Sequence, residues 1–294
     1  MRITQGMLTA NSLKNLSNSY NRLGIYQDQL STGKKITKPS DDPVVAMKGI
    51  HYRSNLTEIE QYKRNLSEAY LWMDNSETGI EQVNNALHRI RELTVQGKNG
   101  TLAPDDQRAV AMEIDQLKKD IVTVANSNVS GRFIFNGTNV DKAPVVEGEP
   151  PSLAADFNTK DYKVEVSRGI LLKANVMPTN VFSNELFTTL QNIQDALSGE
   201  KPIEMLDQEL ANLDDRMDIL SAERSELGAR YNRLDMLEAR IDQQEVMAKR
   251  IISDNEDAEI EKVITDLTLQ ESVHRAALSV GSRIIQPTLL DFLR

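Results

Sequence analysis

The side chains that could carry chemistry in this sequence are few and lie far apart. Glu271 and His274 have the Glu-x-x-His spacing of di-iron helical bundles, which need two such pairs and two further glutamates. The sequence holds no second pair, and its other histidines, His51 and His88, are isolated. We therefore interpret Glu271 and His274 as part of a solvated helix face.

The acidic run at residues 254–261 is a second candidate metal site, in this case for calcium. It lacks the Asp-x-Asn/Asp-x-Asn/Asp-Gly order and the distal glutamate of a calcium loop. No phosphate-binding loop, dinucleotide fingerprint, zinc-protease motif or nucleophile elbow occurs, and the chain has no cysteine. The sequence predicts no catalytic residue, no metal site and no cofactor, so we expect a protein that is not an enzyme.

Charge is distributed unevenly along the chain, whose net charge is −10. Residues 1–40 carry six basic side chains against one acid, whereas residues 251–272 carry seven acids against one lysine. Opposite charge favours pairing of these segments, within one copy or between copies. The acidic balance argues against nucleic acid as a partner. We also expect no membrane insertion and no cleavable signal, because no suitable apolar run is present.

Both ends of the chain have apolar residues in steps of three and four. This spacing is typical of a coiled-coil seam, which needs a partner helix to cover it. A second, longer seam runs from Ile203 to Leu234. We predict helices at residues 4–32, 44–96, 104–131, 183–199 and 202–252, and from residue 258 onward. The N-terminal seam consists of Leu13, Leu16, Tyr20, Leu23 and Leu30.

The pattern changes in the middle of the chain. Residues 133–135 are predicted as a strand that enters a hairpin turn at Asn136-Gly137, and residues 141–160 as a loop. Tyr162, Val164 and Val166 alternate with charged residues, as in a half-buried strand. The predicted fold is mainly α, a long antiparallel coiled-coil helical bundle formed by the N- and C-terminal segments, with a small β-rich insert (α+β).

Four strings, in order along the chain, resemble segments of the bacterial flagellins and flagellar hook-associated proteins. They are LSTGKKITKPSDDP at 30–43, RFIFNGT at 132–138, RSELGARYNRL at 224–234, and the leucine-rich residues 289–294 with a final arginine. The prolines of residues 39–43 resemble the hook–filament junction members of this family rather than its filament flagellins. The motif residues are Gly33, Pro39, Ser40, Asp41, Asp42, Pro43, Arg224, Leu227, Gly228, Asn232, Arg233 and Leu234.

The resemblance implies three domains. Residues 1–40 with 255–294 are expected to form a terminal coiled-coil inner-tube domain, and residues 41–132 with 183–254 a helical-bundle domain. Residues 133–182 are expected to form a small β-rich insert that faces outward. Assembly contacts are expected along the N-terminal seam and, near the other end, at Leu278, Ile284, Leu289 and Leu290.

The resemblance also implies a function. It predicts a structural axial component of the bacterial flagellum that joins hook-associated proteins to the flagellin filament after type III export. The expected partners are other copies in a ring, the preceding hook-associated protein, flagellin and a cytoplasmic export chaperone. The expected location is the flagellum, reached by secretion after a transient cytoplasmic stage. Residues expected to bind the chaperone are Val273, Ala277, Leu278, Ile284 and Ile285.

Two other functions remain open at this point. A filament flagellin would have the same helical ends and would polymerise without limit. A cytoplasmic coiled-coil scaffold would use its seams to form a dimer in dilute solution.

Overall fold

The computed structural model describes residues 5–99 and 103–285, except for the side chains of Gln5 and residues 283–285. Within these residues the chain forms seven helices, six short strands and one 3-10 turn at Ile203–Met205. The helices are α1 Gln5–Thr32, α2 Pro43–Lys98, α3 Pro104–Ala125, α4 Pro178–Val181, α5 Asn184–Ser198, α6 Leu206–Glu256 and α7 Ile260–Ile285. The strands are β1 Asn128–Val129, β2 Arg132–Phe133, β3 Val145–Val146, β4 Ser152–Leu153, β5 Lys163–Ser167 and β6 Ile170–Lys173.

The predicted fold class, mainly α with a small β-rich insert, is confirmed. The chain divides into two compact units. The terminal unit comprises the residues up to Glu58 together with those from Gln244 onward, and the central unit comprises Ile59–Gln243. The assignment of particular segments to an inner tube, an outer shell and an outward insert stays a prediction.

The central unit is built on apolar residues that recur every seven positions along α2 and α6. This repeat keeps one side of each helix turned toward a partner. Every member of the two rows is buried, which confirms that the seams predicted for these helices are core positions. The rows are Ile59, Leu66, Met73, Ile80 and Leu87 on α2, and Leu206, Leu213, Leu220, Leu227, Leu234 and Ile241 on α6.

Polar pairs on either side of the seam fix the register of α2 against α6. As the residue number rises along α2, it falls by nearly the same amount along α6, so the helices are antiparallel. Exposed pairs of this kind contribute only about 0.2–1 kcal/mol each, so they select the register more than they hold the helices together. The pairs are Lys63–Asp242 at 2.8 Å, Tyr70–Asp235 at 2.7 Å, Glu77–Arg224 at 2.7 Å and Arg91–Asp214 at 2.6 Å.

The helices α3 and α5 pack against each other through their apolar faces, which include Ile114 and Ile121 of α3 and Leu190 and Ile193 of α5. Ser183 caps α5, where its hydroxyl accepts a hydrogen bond from the Leu186 N–H at 3.1 Å. Beyond the other end, Gly199 takes a left-handed conformation with φ 91° that terminates the helix.

The predicted hairpin at Asn136-Gly137 is wrong by about six residues. The chain reverses between β1 and β2, at Ser130 and Gly131, whose φ angles of 53° and 79° are both positive. Positive φ at both central residues matches the twist of the paired strands, so this turn closes the hairpin first. Asn136-Gly137 instead forms a separate turn, in which the Asn139 N–H donates to the Asn136 carbonyl at 2.9 Å.

The rest of the insert contains two more hairpins. β3 pairs with β4 inside the stretch predicted as a loop, because Val145 is buried and its N–H and carbonyl are both bonded by the side chain of Asn126. β5 pairs with β6, and Val164 and Val166 are buried as their alternation predicts.

Aromatic side chains pack the insert against α2. A Cβ on Gly79 would come within 2.8 Å of the Phe135 ring, so only glycine lets the ring lie this close to the helix. Trp72, also on α2, is buried against Tyr162, with 4.9 Å between the ring centroids.

A buried carboxylate fastens the end of the insert to α6. Glu223 accepts hydrogen bonds from the Met177 N–H at 3.0 Å and the Asn180 side chain at 2.8 Å. Arg230 lies 3.4 Å from Glu223, donates to the Asn175 carbonyl at 2.7 Å and pairs with Glu226 at 2.8 Å. The segment between β6 and α5 is therefore held by charge-assisted bonds that start from a single helix.

Replacing Glu223 with alanine should lower the free energy of unfolding by about 3 kcal/mol, because it leaves the buried Arg230 charge short of a partner. The Glu226→Ala control removes the other, exposed partner of Arg230 and should cost at most about 1 kcal/mol. Urea unfolding followed by circular dichroism measures both. Equal losses in the two variants would contradict the role assigned to Glu223.

Candidate assembly surface of the terminal helices

The two terminal helices α1 and α7 pack against each other in opposite directions. Ser19 is buried at their contact, where its hydroxyl accepts a hydrogen bond from the Gln270 side chain at 2.8 Å. The same hydroxyl lies 3.3 Å from Nδ1 of His274. The opposite charges of the chain's two ends and the N-terminal seam both predicted a partner for α1, and α7 is that partner within one copy.

These contacts also account for the Glu-x-x-His pair. His274 points at α1, whereas Glu271 forms an ion pair with Arg275 at 3.5 Å. In the described part of the chain, no three histidine or carboxylate side chains converge closely enough to hold a metal ion. The sequence interpretation of Glu271 and His274 as helix-face residues agrees with this placement.

The pair of helices leaves most of its apolar seam open. On α1, Leu13 is 54% exposed and Tyr20 is 70% exposed; Leu30 is also exposed, and Leu16 and Leu23 are half-buried. The buried side chains of the described part of the pair are those of Ser19 and Val263. An apolar stripe of this length on a pair of helices is an association surface.

The α7 residues predicted for assembly or chaperone binding lie on the same open surface where the structure describes them. Val273 and Leu278 are exposed and Ala277 is half-buried. Ile284 and Ile285 lie in the last turn of α7, but their side chains are outside the described part. Leu289 and Leu290 lie outside the described residues altogether.

Small residues form a notch between the two helices. It has a volume of about 230 Å³ and its walls include Ser12 and Leu16 of α1 and Ala277, Leu278 and Gly281 of α7. A Cβ on Gly281 would touch nothing within 4 Å, so the notch is open at this point. Its size and apolar walls suit a side chain from another helix.

The first family motif forms the link between α1 and α2. Gly33 ends α1 with φ 69°, and the Asp42 carboxylate caps α2 by accepting from the Val44 and Val45 N–H groups at 2.9 and 3.1 Å. Pro43 occupies the first helical position, where its missing N–H is not needed. These are the roles that the sequence gives to the three residues.

Asp41 shapes the turn between Gly33 and Pro43. Its carboxylate accepts hydrogen bonds from the N–H groups of Lys38 at 2.9 Å and Thr37 at 3.2 Å. These bonds, that from Lys38 first, hold the pKa of Asp41 below its usual value. Pro39 and Ser40, which lie between these partners, are exposed.

The same link is bonded to the residues that precede α7. The Lys35 N–H donates to the Glu256 carbonyl at 2.6 Å, and the Ala258 N–H donates to the Gly33 carbonyl at 2.8 Å. The Lys34 ammonium contacts Asp257 at 2.6 Å, and this bond lowers the pKa of Asp257. A two-way bridge thus ties the two chain ends together where α1 ends.

Glu256 is the buried centre of this bridge, and sequence reasoning missed it. Its carboxylate accepts from Arg53 at 2.5 Å and lies 3.7 Å from the Lys34 ammonium. A Cβ on Gly49 would overlap its Oε1, so a glycine in α2 makes room for the carboxylate. The charge imbalance between the chain ends was the available signal, but it could not single out one glutamate.

The second family motif lies on α6 in the central unit. Leu227 and Leu234 are buried in the seam, and Arg224 forms the exposed ion pair with Glu77. Gly228, Asn232 and Arg233 are exposed. The motif therefore combines core positions with surface positions on one helix.

Within the described residues, we find no helix that is both long enough and apolar enough to span a bilayer.

Comparison with known proteins adds a family to this geometry. Residues 3–140 match the model of the bacterial flagellin N-terminal helical region. Flagellar hook-associated protein 3 of Escherichia coli is 24% identical over 301 residues, which cover 94% of this chain and 95% of that protein. Flagellin 1 of Proteus mirabilis is 29% identical over 187 residues, which cover 64% of this chain and 48% of that flagellin.

A solved structure has the same fold. The crystal structure of hook-associated protein 3 of Legionella pneumophila aligns with a TM-score of 0.63, over 69% of this chain and 97% of that one, at 16% identity. The paired terminal helices, the long seams and the matched N-terminal region define an axial protein of the flagellum, and the chain belongs to the flagellin superfamily. Within that superfamily it is similar along nearly its whole length to flagellar hook-associated protein 3.

Replacing Glu256 with alanine should loosen the bridge between residues 33–38 and 254–258, at a cost of about 1.5 kcal/mol for the lost charge-assisted bonds. Amide hydrogen exchange of Lys35 and Ala258 should become faster, because their bonds belong to that bridge. Asp254→Ala is the matched control, since the Asp254 side chain is exposed and lies 4.0 Å from its nearest cation, Arg250. Unchanged exchange in Glu256→Ala would rule out Glu256 as the centre of the bridge.

Proposed function

We propose that this chain is a structural axial component of the bacterial flagellum that joins hook-associated proteins to the flagellin filament. The observation that carries the proposal is the open apolar seam of the α1–α7 pair, because one copy cannot cover it. The similarity to hook-associated protein 3 over 94% of the chain supports the position at the junction.

Filament flagellin is the alternative within the same superfamily. The match to Proteus mirabilis flagellin 1 covers 48% of that protein, against 95% of the Escherichia coli hook-associated protein. The junction role is therefore favoured, since the similarity extends through the insert and the returning helices instead of being confined to part of the relative.

The proposed partners are chemically consistent with the described surfaces. Other copies in a ring, the preceding hook-associated protein and flagellin would each cover apolar seam of α1 and α7 with similar helices. We propose that the chain travels through the flagellar type III route and is cytoplasmic only before export. We propose no catalytic role, since the relatives it matches are named as structural flagellar proteins.

A deletion strain tests the function directly. Cells that lack this chain should build hooks, fail to swim and release flagellin that has not assembled. Re-expression of the chain should restore filaments, and an antibody against it should label the point where the hook meets the filament. In a seeded assay the purified chain should add to hook ends and then stop. Unlimited growth on seeds would favour filament flagellin instead.

An export chaperone should cover the exposed apolar stripe of α7 before assembly, because such a stripe promotes aggregation in the cytoplasm. Val273→Asp combined with Leu278→Asp would bring charge into that contact and should reduce chaperone capture at least about tenfold, since the carboxylates must lose water. The cellular level and junction assembly should fall with it.

The matched control is Met112→Asp with Met236→Asp, which puts the same charges on exposed apolar residues of the central unit. A pull-down with the chaperone compares the two variants, and circular dichroism confirms that both remain helical. If the α7 variant binds its chaperone normally but fails to assemble, the chaperone site lies elsewhere.

A further inference from the structure

Charged side chains divide the α1–α7 pair into two bands along its length. The contacts of Gly33 with Ala258 and of Ser19 with Gln270 show that α1 residue n lies beside an α7 residue near 290 − n. One band is basic and consists of Lys14, Arg22 and Arg275. The other is acidic, with Lys262 as its one basic side chain, and consists of Asp28, Glu259, Glu261 and Asp266.

Most of these charges are not used within one copy. Arg275 pairs with Glu271, which lies between the bands. In the part of the chain that the structure describes, Lys14 and Arg22 form no ion pair, and neither do the four acids of the acidic band. The pair of helices therefore has an acidic end close to the Gly33 bridge and a basic end farther from it.

The bands are far enough apart to act separately. Their centres are about 11 residues apart, or about 16 Å at about 1.5 Å per residue of helix. This distance is about twice the screening length of about 8 Å at physiological ionic strength. A neighbouring molecule therefore meets each band as a patch of one sign.

We propose that a second copy of this chain covers the open seam of α1 and α7, shifted along the helix axis by about 16 Å. In a ring all copies point the same way, so an unshifted neighbour would place basic band against basic band and acidic band against acidic band. The shift places the basic band of one copy beside the acidic band of the next, which is the favourable arrangement. The inference rests on the proposed function, since the ring supplies the common direction.

The spacing of the charges supports this register. Lys14 and Arg22 are eight residues apart on α1, and Glu259 and Asp266 are seven residues apart and run in the opposite direction. A shifted neighbour can therefore place Lys14 beside Asp266 and Arg22 beside Glu259 at the same time. Each copy uses its basic band on one side and its acidic band on the other, so the contact continues from copy to copy.

Cysteine cross-linking tests the geometry, because the chain has no cysteine of its own. Within one copy, position 14 lies beside residues near 276, about 15 Å along the axis from position 266, and a disulfide needs Cα atoms within about 7 Å. In isolated hook–filament complexes, Lys14→Cys with Asp266→Cys should therefore form bonds between copies and give a ladder of multimers. Either cysteine alone should give none. A closed dimer without a ladder would show that copies pack in opposite directions and would overturn the proposal.

Charge reversal tests the energetics. Lys14→Glu with Arg22→Glu makes both bands acidic, and Glu259→Lys with Asp266→Lys makes both basic. Each variant alone should reach the hook tip at about a tenth of the normal level, because two attractive pairs per contact become repulsive. Expressed together, the two should alternate and restore assembly. The control, Lys160→Glu with Arg240→Glu, makes the same change in net charge on exposed residues of the central unit and should assemble normally.

The outcomes separate this inference from the function on which it rests. If the unmodified chain is found at the hook tip but the paired cysteines give no ladder, or if either charge variant assembles normally alone, the shifted contact is wrong and the junction role stands. If the unmodified chain is absent from flagella, the proposed function itself is contradicted.

Discussion

Each long helix of this protein has an apolar seam that it cannot bury alone, and most of the structure follows from that constraint. A single helix exposes its seam to water, and even helices of favourable sequence are marginal without a partner. In the central unit α2 and α6 bury each other's rows at every seventh residue. In the terminal unit α1 and α7 meet in the same antiparallel way but bury only Ser19 and Val263 of the described residues. The first arrangement is a core, and the second is half of one.

The helical part of the fold was predictable from the sequence because its signals are periodic and local. Steps of three and four located α1, α2 and α6, and Gly33 and the Asp42-Pro43 pair located the ends of two helices. The position of the first hairpin was not predictable in this way. Asn-Gly is the stronger turn signal in isolation, but Ser130 also adopts a positive φ, and the pairing of β1 with β2 decides the matter through contacts that periodicity does not show.

Buried polar groups were the features that the sequence could not reveal. Glu223, Glu256 and Lys118 are each buried, although acids and lysines on long helices are normally solvated. Each is tolerated because partners surround it: Lys118, for example, donates to Gln191 at 2.8 Å and Gln194 at 2.6 Å and pairs with Asp115 at 3.1 Å. Such partners come from distant parts of the chain, so no local pattern announces them. For the same reason the predicted surface residues of α1 and α7 could be placed on helices from sequence, whereas the bridge at Glu256 could not.

The difference between the two units bears on how assembly can be controlled. The central unit satisfies its own seam, so its stability does not depend on neighbours. The terminal pair gains part of its burial only when another molecule covers Leu13, Tyr20 and Leu278, so ordering and binding contribute to one free energy. Apolar burial is not directional and would allow many arrangements of the copies. Direction and register must then come from the polar groups that flank the seam, as the cross-helix ion pairs already provide between α2 and α6 in the central unit.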